Sequence, residues 1–349
     1  MTGLQIVEFS NVVRPAFTVS ELTTLLRTLN KEFTDYAPAA ELYPKQVELV
    51  IAAANSLGWI KQLVVAFLDA RPANHGMRQF IQANPDFDPA RLRTEHPCDT
   101  LQIFGGQCFI GRPDLRKFLK DMDTEIGRKV LIVTSDHRRV GKSYTKELVD
   151  FLSLNQQGTS RVVPVDLDRK DYDSGALALE LGKALGLDPG SRPPQGDQQP
   201  TRWNQELVEW LIPQVPNPAA TTVWWIILDG FRLKIPSEAV HDLISQLAQR
   251  VKSTTRYRLV LLNYATQLPL AVVAFGYKDN VQPLVRAEVA DYLAKVHERK
   301  HGAPPQPPQL DEYVDSVYEL RAKYALKYPE AADDLLLLNM AVSDATLSI

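Results

Sequence analysis

The chain has 349 residues, 45% of them hydrophobic and 23% charged, which is long enough for roughly two or three domains with a core each. Its 39 basic residues against 42 acidic ones leave a net charge of -3. This argues against a nucleic-acid binder, because neutralising phosphates requires a concentrated basic face. Cys98 and Cys108 are too few for a disulfide scaffold, and the apolar runs near residues 223–228 and 268–275 are too short to cross a bilayer. We therefore expect a soluble, cytoplasmic protein.

Residues 1–85 have the apolar pattern of a small helical bundle. Ser20 is a good N-cap, and four leucines after it recur at the spacing of one helical face, namely Leu22, Leu25, Leu26 and Leu29. Further helices are predicted over residues 45–57, 59–71 and 75–83, with Gly or Pro near their ends. Helices this short bury their apolar faces only by packing on one another.

Residues 86–104, rich in Pro, Asp and Arg, are predicted to be a linker before a second domain at residues 105–302. The second domain alternates strand patterns with helical ones, which predicts a mainly parallel sheet with helices on both faces. The predicted strands cover residues 130–134, 161–167, 223–228 and 257–263, with an edge strand at 270–275. The predicted helices between them cover residues 142–154, 174–185, 203–211 and 237–251.

The end of the chain is helical again, over residues 285–297 and 311–328, and residues 303–349 combine a Pro-rich linker with a helical tail. The segment that starts at residue 333 is apolar enough to dock, although the sequence does not reveal where. The expected fold class is therefore multidomain: a small all-α bundle, an α/β domain with a mainly parallel sheet, and a helical C-terminal tail.

The most informative motif is Gly141-Lys142-Ser143, which follows the apolar run at residues 130–134. A strand that breaks into a tight loop before a helix points backbone N–H groups and the helix N-terminus at a phosphate. In such a loop the lysine reaches the β- and γ-phosphates, and the serine hydroxyl binds Mg²⁺. The motif therefore predicts a nucleotide site in which Mg²⁺ accompanies the phosphates, and it leaves the choice between ATP and GTP open.

The residues around this motif bear on the same site. Val140 and Tyr144 flank the glycine-lysine-serine core and are expected to contribute to nucleotide binding. The G-x-x-x-x-G-K-[ST] pattern begins with a glycine, whereas this chain has Asp136 at that position. Aspartate enters turn conformations easily, so the loop can still close, but its charge is unfavourable beside a triphosphate.

A second apolar run, over residues 222–228, ends in Asp229. This is the pattern of a neighbouring buried parallel strand, which delivers its last residue to the edge where α/β sheets bind ligands. Because Mg²⁺ prefers oxygen ligands, Asp229 and Ser143 are predicted to hold the ion beside the phosphates. The alternative is an ordinary core strand followed by a turn at Asp229 and Gly230.

Together these features resemble AAA-type or STAND-type P-loop ATPases. The resemblance lies in residues 109–112 with the helix after them, the Gly-Lys-Ser motif, Asp229, and Asn263 at the end of a later strand. It implies that Gly111 and Arg112 lie near the adenine and that Asn263 senses the γ-phosphate. Lys142, Asp229 and Asn263 are thus the candidate catalytic residues. The Asn-Lys-x-Asp motif typical of GTPases does not occur, which favours ATP.

The N-terminal bundle resembles the bacterial effector-associated domains of death-like fold, which are adaptors in bacterial conflict systems. The matching residues are Leu25, Leu26, Trp59, Leu63, Phe67 and residues 70–74 and 77–80. The resemblance implies that the bundle pairs with a like domain on a partner protein and that the setting is defence against phage. Self-association through the ATPase domain is a further possibility, and neither a membrane nor nucleic acid is an expected partner.

One departure from the ATPase pattern concerns turnover. Gly230 and Phe231 follow Asp229, where a hydrolysing member often has an acidic residue that orients the attacking water. Glu238 and Asp242 lie well past the strand end and could take this role only if the chain folded back. We therefore expect an ATP-binding signalling switch with slow or lost hydrolysis. A metabolic ATPase or kinase, and a scaffold with a degenerate site, remain as alternatives.

Several arginines are candidates for contacts to the nucleotide. Arg250, Arg256 and Arg258 flank a predicted strand and could act as an arginine finger across a subunit boundary. Arg286 opens a predicted helix and is a candidate sensor arginine. The competing interpretation is that these residues are ordinary surface charges.

Overall fold

The structure is a computed structural model, and it describes residues 1–29, 31–88, 96–103, 107–135, 142–155, 159–213, 222–231, 236–264, 266–328 and 334–349. The chain forms two compact units. Unit 1 consists of Met1–Gly111 with Leu284–Ile349, and unit 2 consists of Arg112–Pro283. The division of the chain into segments 1–85, 86–104, 105–302 and 303–349 stays a prediction.

The helices and strands follow one another in this order. The first elements are α1 (Gly3–Ala16), α2 (Val19–Thr28), α3 (Tyr43–Ser56), α4 (Ile60–Ala70), α5 (His75–Ala83), β1 (Gln102–Ile103), β2 (Gln107–Cys108) and α6 (Pro113–Asp123). The central elements are β3 (Val130–Thr134), α7 (Lys142–Asn155), β4 (Ser160–Asp166), α8 (Ser174–Ala184), α9 (Pro200–Leu211), β5 (Val223–Asp229), α10 (Glu238–Lys252) and β6 (Tyr257–Leu262). The last are α11 (Leu270–Val273), β7 (Tyr277–Asn280), α12 (Arg286–His301), α13 (Pro307–Lys327) and α14 (Asp334–Ser348).

Helices α1 to α5 form the expected bundle around an aromatic core. Phe9, Trp59 and Phe67 are completely buried, and the rings of Phe9 and Phe67 lie 5.6 Å apart. The sequence pattern leaves residues 3–16 without an assigned helix, yet they form α1, whose Phe9 and Val13 are both buried one turn apart.

The N-cap of α2 is Thr18, so the prediction of Ser20 was wrong. The Thr18 hydroxyl accepts a hydrogen bond from the backbone N–H of Glu21 at 3.3 Å, and the Glu21 carboxylate accepts one from the backbone N–H of Thr18 at 2.9 Å. This reciprocal capping box satisfies two donors at once, which a lone serine at position 20 cannot do. The helix therefore begins one residue before Ser20, at Val19.

The apolar tail forms α14, which packs within unit 1. A cluster of buried side chains joins α14 to β2, α12 and α13, among them Cys108, Leu293, Val317 and Ala341. The Asn339 side chain donates to the Cys108 carbonyl at 2.8 Å and accepts from the Cys108 backbone N–H at 3.1 Å. Both backbone polar groups of Cys108, the last residue of the short strand β2, thus have hydrogen-bond partners.

Unit 2 contains a parallel five-stranded sheet with the strand order β4-β5-β6-β3-β7. Strand β6 lies between β3 and β5, so the expectation that the Asp229 strand neighbours the strand before the phosphate loop was wrong. The apolar patterns of β5 and β6 are alike, and such patterns identify buried strands without ordering them. Because the strands are parallel, their carboxyl ends meet at one edge of the sheet.

The predicted edge strand at residues 270–275 was also wrong. Leu270–Val273 form the single-turn helix α11 after Pro269, and the edge strand is instead β7. The sequence of β7 is Tyr-Lys-Asp-Asn, with side chains alternately half-buried and exposed, so it lacks an apolar run. Edge strands tolerate polar residues because one side of their ladder is unpaired.

Among the described helices, none combines the length and the apolar character needed to span a membrane.

Candidate functional site

The candidate site lies at the carboxyl edge of the sheet in unit 2. Asp166 ends β4, Asp229 ends β5, and Asn263 follows β6. Asp166 and Asp229 are direct partners in the register of the two strands, so both reach the edge at the same level. Ser135, the residue after β3, donates its hydroxyl hydrogen bond to the Val281 carbonyl at 3.1 Å. Four consecutive strands of the sheet thus bring polar side chains to one edge.

The structure brings Asp229 and Asn263 together. Asp229 Oδ1 accepts a hydrogen bond from the Gly230 backbone N–H at 2.7 Å and lies 3.5 Å from Asn263 Nδ2. Asn263 adopts a left-handed conformation with φ of 65°, and its backbone N–H donates to the Val133 carbonyl of β3 at 2.7 Å. Asn263 therefore connects β3 with the carboxylate of Asp229, a contact that the order of these residues along the chain does not predict.

The predicted phosphate-binding segment joins β3 to α7. Strand β3 ends at Thr134, and α7 begins at Lys142. Val140 and Gly141 lie outside the described residues, as do the side chains of Lys142 and Ser143. The backbone of Lys142 and Ser143 forms the first turn of a 14-residue helix, where the helix dipole favours an anion.

Tyr144, which the sequence predicts as part of the nucleotide site, lies in the first turn of α7. Its side chain is 4% exposed and belongs to the apolar core of the unit. The described structure thus places it as a core residue beside the predicted phosphate loop. Its contribution to nucleotide binding stays a prediction.

Arg112 ties three elements of unit 2 together. It precedes α6 in a left-handed conformation with φ of 56°, and its guanidinium donates to Thr145 Oγ1 in the first turn of α7 at 3.2 Å. The same nitrogen forms an ion pair with the carboxylate of Asp279 on β7, and the two side chains are only 9% and 11% exposed. Arg112 thus fixes the start of α7 relative to the edge strand. Its predicted role near the adenine stays a prediction.

Gly111 has a left-handed backbone and a crowded Cβ position. Its φ is 66°, and a Cβ atom on it would lie 2.7 Å from Glu288 Oε1 and 3.1 Å from a methyl group of Leu284. Both the backbone conformation and the close approach disfavour a larger residue. This requirement is structural, and the proximity of Gly111 to the adenine stays a prediction.

Three of the candidate arginines form contacts in the described structure, and the sensor role of Arg286 stays a prediction. Arg258 is 1% exposed and donates to the carbonyls of Met122, Thr124, Thr255 and Tyr257, so it is not available as an arginine finger. Arg250 donates to the carbonyls of Ile212 and Pro213 after α9. Arg286 pairs with Asp315 at 2.5 Å in unit 1.

Gly230 adopts a left-handed conformation with φ of 89°, and the position of its missing Cβ is occupied by neighbours. A Cβ built there would lie 2.4 Å from Asp166 Oδ1 and 2.4 Å from the backbone nitrogen of Asp168. The turn after β4 thus packs against the residue after Asp229. The sequence analysis did not select Asp166 as a site residue, because apolar patterns do not reveal that β4 lies next to β5.

A polar and aromatic cluster supports the loop that carries Asn263. Phe231 meets the ring of Tyr264 edge-on with centroids 4.9 Å apart, and the Tyr264 hydroxyl lies 3.1 Å from His241 Nδ1. The other imidazole nitrogen lies 3.2 Å from Thr266 Oγ1. Burial lowers the pKa of His241 and raises the pKa of Tyr264 to about 12. The cluster therefore stays neutral near pH 7 and holds the loop through hydrogen bonds and ring contacts.

No family model and no curated protein sequence matches the chain. Among solved structures, the chain is similar to Drosophila ORC bound to DNA, with 15% identity, a TM-score of 0.38 and coverage of 66% of this chain and 60% of that one. It is similar to the Aeropyrum pernix ORC1 protein in complex with DNA, with 14% identity, a TM-score of 0.40 and coverage of 69% and 61%. It is also similar to C. elegans PCH-2, with 11% identity, a TM-score of 0.36 and coverage of 70% of each chain. The chain spans about three fifths of the first two proteins. These TM-scores are low, and none of these likenesses assigns a role to a residue of this chain.

Proposed function

We propose that unit 2 binds ATP and Mg²⁺ at the carboxyl edge of its sheet. The observation that carries this proposal is the meeting of a carboxylate and an amide at the sheet edge where strand β3 also ends. Strand β3 leads into α7, whose first residues are Lys142 and Ser143, while Asp229 and Asn263 meet on the same edge. A parallel sheet binds its ligands at this edge, and a helix N-terminus there suits a phosphate.

Each residue has a distinct role in this proposal. Backbone N–H groups from Gly141 onward hold the phosphates, and Lys142 neutralises charge on the β- and γ-phosphates. Ser143 and Asp229 provide oxygen ligands to Mg²⁺, directly or through water, and Asn263 contacts the γ-phosphate. The contacts of Asn263 with β3 and with Asp229 support this last role. A change in the position of Asn263 on loss of the γ-phosphate would alter contacts to both β3 and β5.

We further propose that ATP acts as a switch rather than as fuel for rapid turnover. Gly230 follows Asp229, so the position next to the metal ligand has no acid of its own, and this supports slow hydrolysis. A bound γ-phosphate favours one arrangement of the site, and its loss favours another, so the nucleotide shifts the population between two states.

The adaptor role of the N-terminal bundle is also a proposal. It is supported by the separate apolar core of α1 to α5 and by Leu4 and Val7, which are 71% and 45% exposed one turn apart on α1. The partner class, a like domain on a second protein, and the setting in antiphage defence come from the resemblance alone. Copurification with the full chain and with a Leu4→Glu, Val7→Glu variant tests the role, and equal capture by both would count against this surface.

Titration of the full chain with MgATP tests the nucleotide site. We expect Lys142→Ala to weaken binding by at least about tenfold, because a charge-assisted contact to phosphate contributes roughly 1.5–3 kcal/mol. Lys146→Ala is the matched control: Lys146 lies one turn further along α7 and pairs with Asp150 at 2.6 Å. Equal affinity of the wild type and Lys142→Ala, or no binding by either, would rule out the proposed site.

A further inference from the structure

The residue after Asp229 leaves a chemical role unfilled in the proposed ATP site. Hydrolysis needs a group that orients the attacking water and accepts its proton, and an acidic side chain is suited to this. Position 230 is glycine with φ of 89°, and the backbone nitrogens of Asp168 and Leu167, at 2.4 and 2.6 Å from its missing Cβ, exclude a side chain there. The role must therefore be supplied from elsewhere on the same edge if ATP is hydrolysed.

The carboxylate of Asp166 occupies the space that a side chain at position 230 would enter. Its Oδ1 lies 2.4 Å from the point where the Gly230 Cβ would stand. Asp166 and Asp229 are register partners on adjacent parallel strands, so their side chains leave the sheet on the same face. The Asp166 carboxylate is thus delivered beside the proposed metal ligand by the neighbouring strand.

Local contacts orient this carboxylate without removing it from the site. Asp166 Oδ1 accepts a hydrogen bond from the backbone N–H of Asp168 at 3.1 Å, which fixes the direction of the side chain. Oδ2 pairs with Arg169 at 3.2 Å, but the Arg169 side chain is 81% exposed and that of Asp166 is 42% exposed. An ion pair this open to water is weak, so Oδ2 remains accessible to a water molecule.

We propose that Asp166 orients and deprotonates the water that attacks the γ-phosphate, in place of an acid at position 230, and that the slow hydrolysis of the proposed switch depends on this carboxylate. The proposal rests on the proposed function of the site. The water oxygen forms a bond to the γ-phosphorus, while the bond from that phosphorus to the bridging oxygen breaks. The electron pair stays with ADP, the carboxylate takes one proton from the water, and inorganic phosphate leaves.

The test compares kcat and ATP affinity in the full chain and in Asp166→Asn. The asparagine oxygen still accepts from the Asp168 N–H, so the turn is kept while the basic carboxylate is lost. We expect kcat to fall by about a hundredfold or more with ATP affinity unchanged, which is the usual effect of removing a general base. Asp168→Asn is the matched control, since it removes the same charge from the same turn and should leave kcat unchanged.

The outcomes separate this proposal from the proposed function. ATP binding that depends on Lys142, combined with full turnover by Asp166→Asn, would overturn the role of Asp166 alone. Binding by the wild type without any turnover would do the same. Absence of ATP binding by the wild type would overturn both proposals. Asp166→Ser serves as a second variant if Asp166→Asn misfolds, and an equal loss of affinity and kcat in a folded variant would indicate a structural role instead.

Discussion

Gly230 shows how one residue constrains the candidate site. Its left-handed backbone and the two atoms at 2.4 Å from its missing Cβ leave room only for glycine. The sequence analysis connects slow hydrolysis with the glycine that follows Asp229. Packing requires a glycine there, because the turn after β4 fills the space that a side chain at position 230 would enter. A glycine at position 230 therefore reflects the close packing of the turn that contains Asp166 and Asp168.

We expect Gly230→Ala to lower the free energy of unfolding by more than about 2 kcal/mol, since the left-handed conformation costs about 1–2 kcal/mol and the close contacts add to it. Gly186→Ala is the control: Gly186 has a φ of 77°, but its Cβ would meet nothing within 4 Å. Urea denaturation measures both variants. Equal destabilisation by the two substitutions would contradict the close packing of Gly230 on Asp166.

Lys129 gives a pH dependence that can be measured. It is 3% exposed, its ammonium group donates to the Thr124 carbonyl, and burial together with the nearby Arg258 guanidinium lowers its pKa from 10.5 to about 8. Between these two values the unfolded chain keeps a proton that the folded chain has released. The contribution of Lys129 to stability therefore rises with pH in this window.

The prediction is that the free energy of unfolding of the wild type, relative to Lys129→Met, increases from pH 8 to pH 10 by at most about 1.4 kcal/mol per pH unit. Taking the difference between the two proteins removes the other groups that titrate in this range. Denaturant curves for both proteins at several pH values provide the measurement. A constant difference would mean that Lys129 keeps its ordinary pKa.

Among the helices and strands, apolar patterns predict the buried elements well. They miss a polar strand, and they misplace a helix end that depends on a side-chain hydrogen bond. Residues 130–134 form β3 as predicted, because a fully buried parallel strand has a continuous apolar run. Strand β7 has no such run and was missed. The start of α2 was misplaced because the choice between Thr18 and Ser20 depends on a side-chain bond to Glu21.

We expect Thr18→Ala to destabilise the bundle by about 0.5–2 kcal/mol, because the hydroxyl that accepts from the Glu21 backbone N–H is lost, while the backbone N–H of residue 18 can still donate to Glu21. Ser20→Ala should cost much less, since Ser20 lies inside the first turn of α2 and alanine favours helices. Thermal unfolding of the two variants gives the comparison. A larger loss of stability in Ser20→Ala than in Thr18→Ala would indicate that Ser20 is the N-cap, as the sequence predicts.

For the whole molecule, the sequence predicts the separate parts of the site but not their arrangement. Gly141, Lys142, Ser143 and Asp229 stand out because a short motif and an apolar run identify them. The meeting of Asp229 with Asn263, and of Gly230 with Asp166, depends on the strand order β4-β5-β6-β3-β7. Strand order follows from long-range packing, which a local pattern does not contain.

The central claim is that the start of α7 and the end of β5 form one MgATP site. A double-mutant cycle for MgATP binding, with Ser143→Ala, Asp229→Asn and the double variant, tests this claim most directly. Two residues that hold the same Mg²⁺ ion should show a coupling energy above about 0.5 kcal/mol, with the double variant binding more tightly than the sum of single losses predicts. Losses that add within about 0.3 kcal/mol would show that the two residues act independently, and would contradict the site.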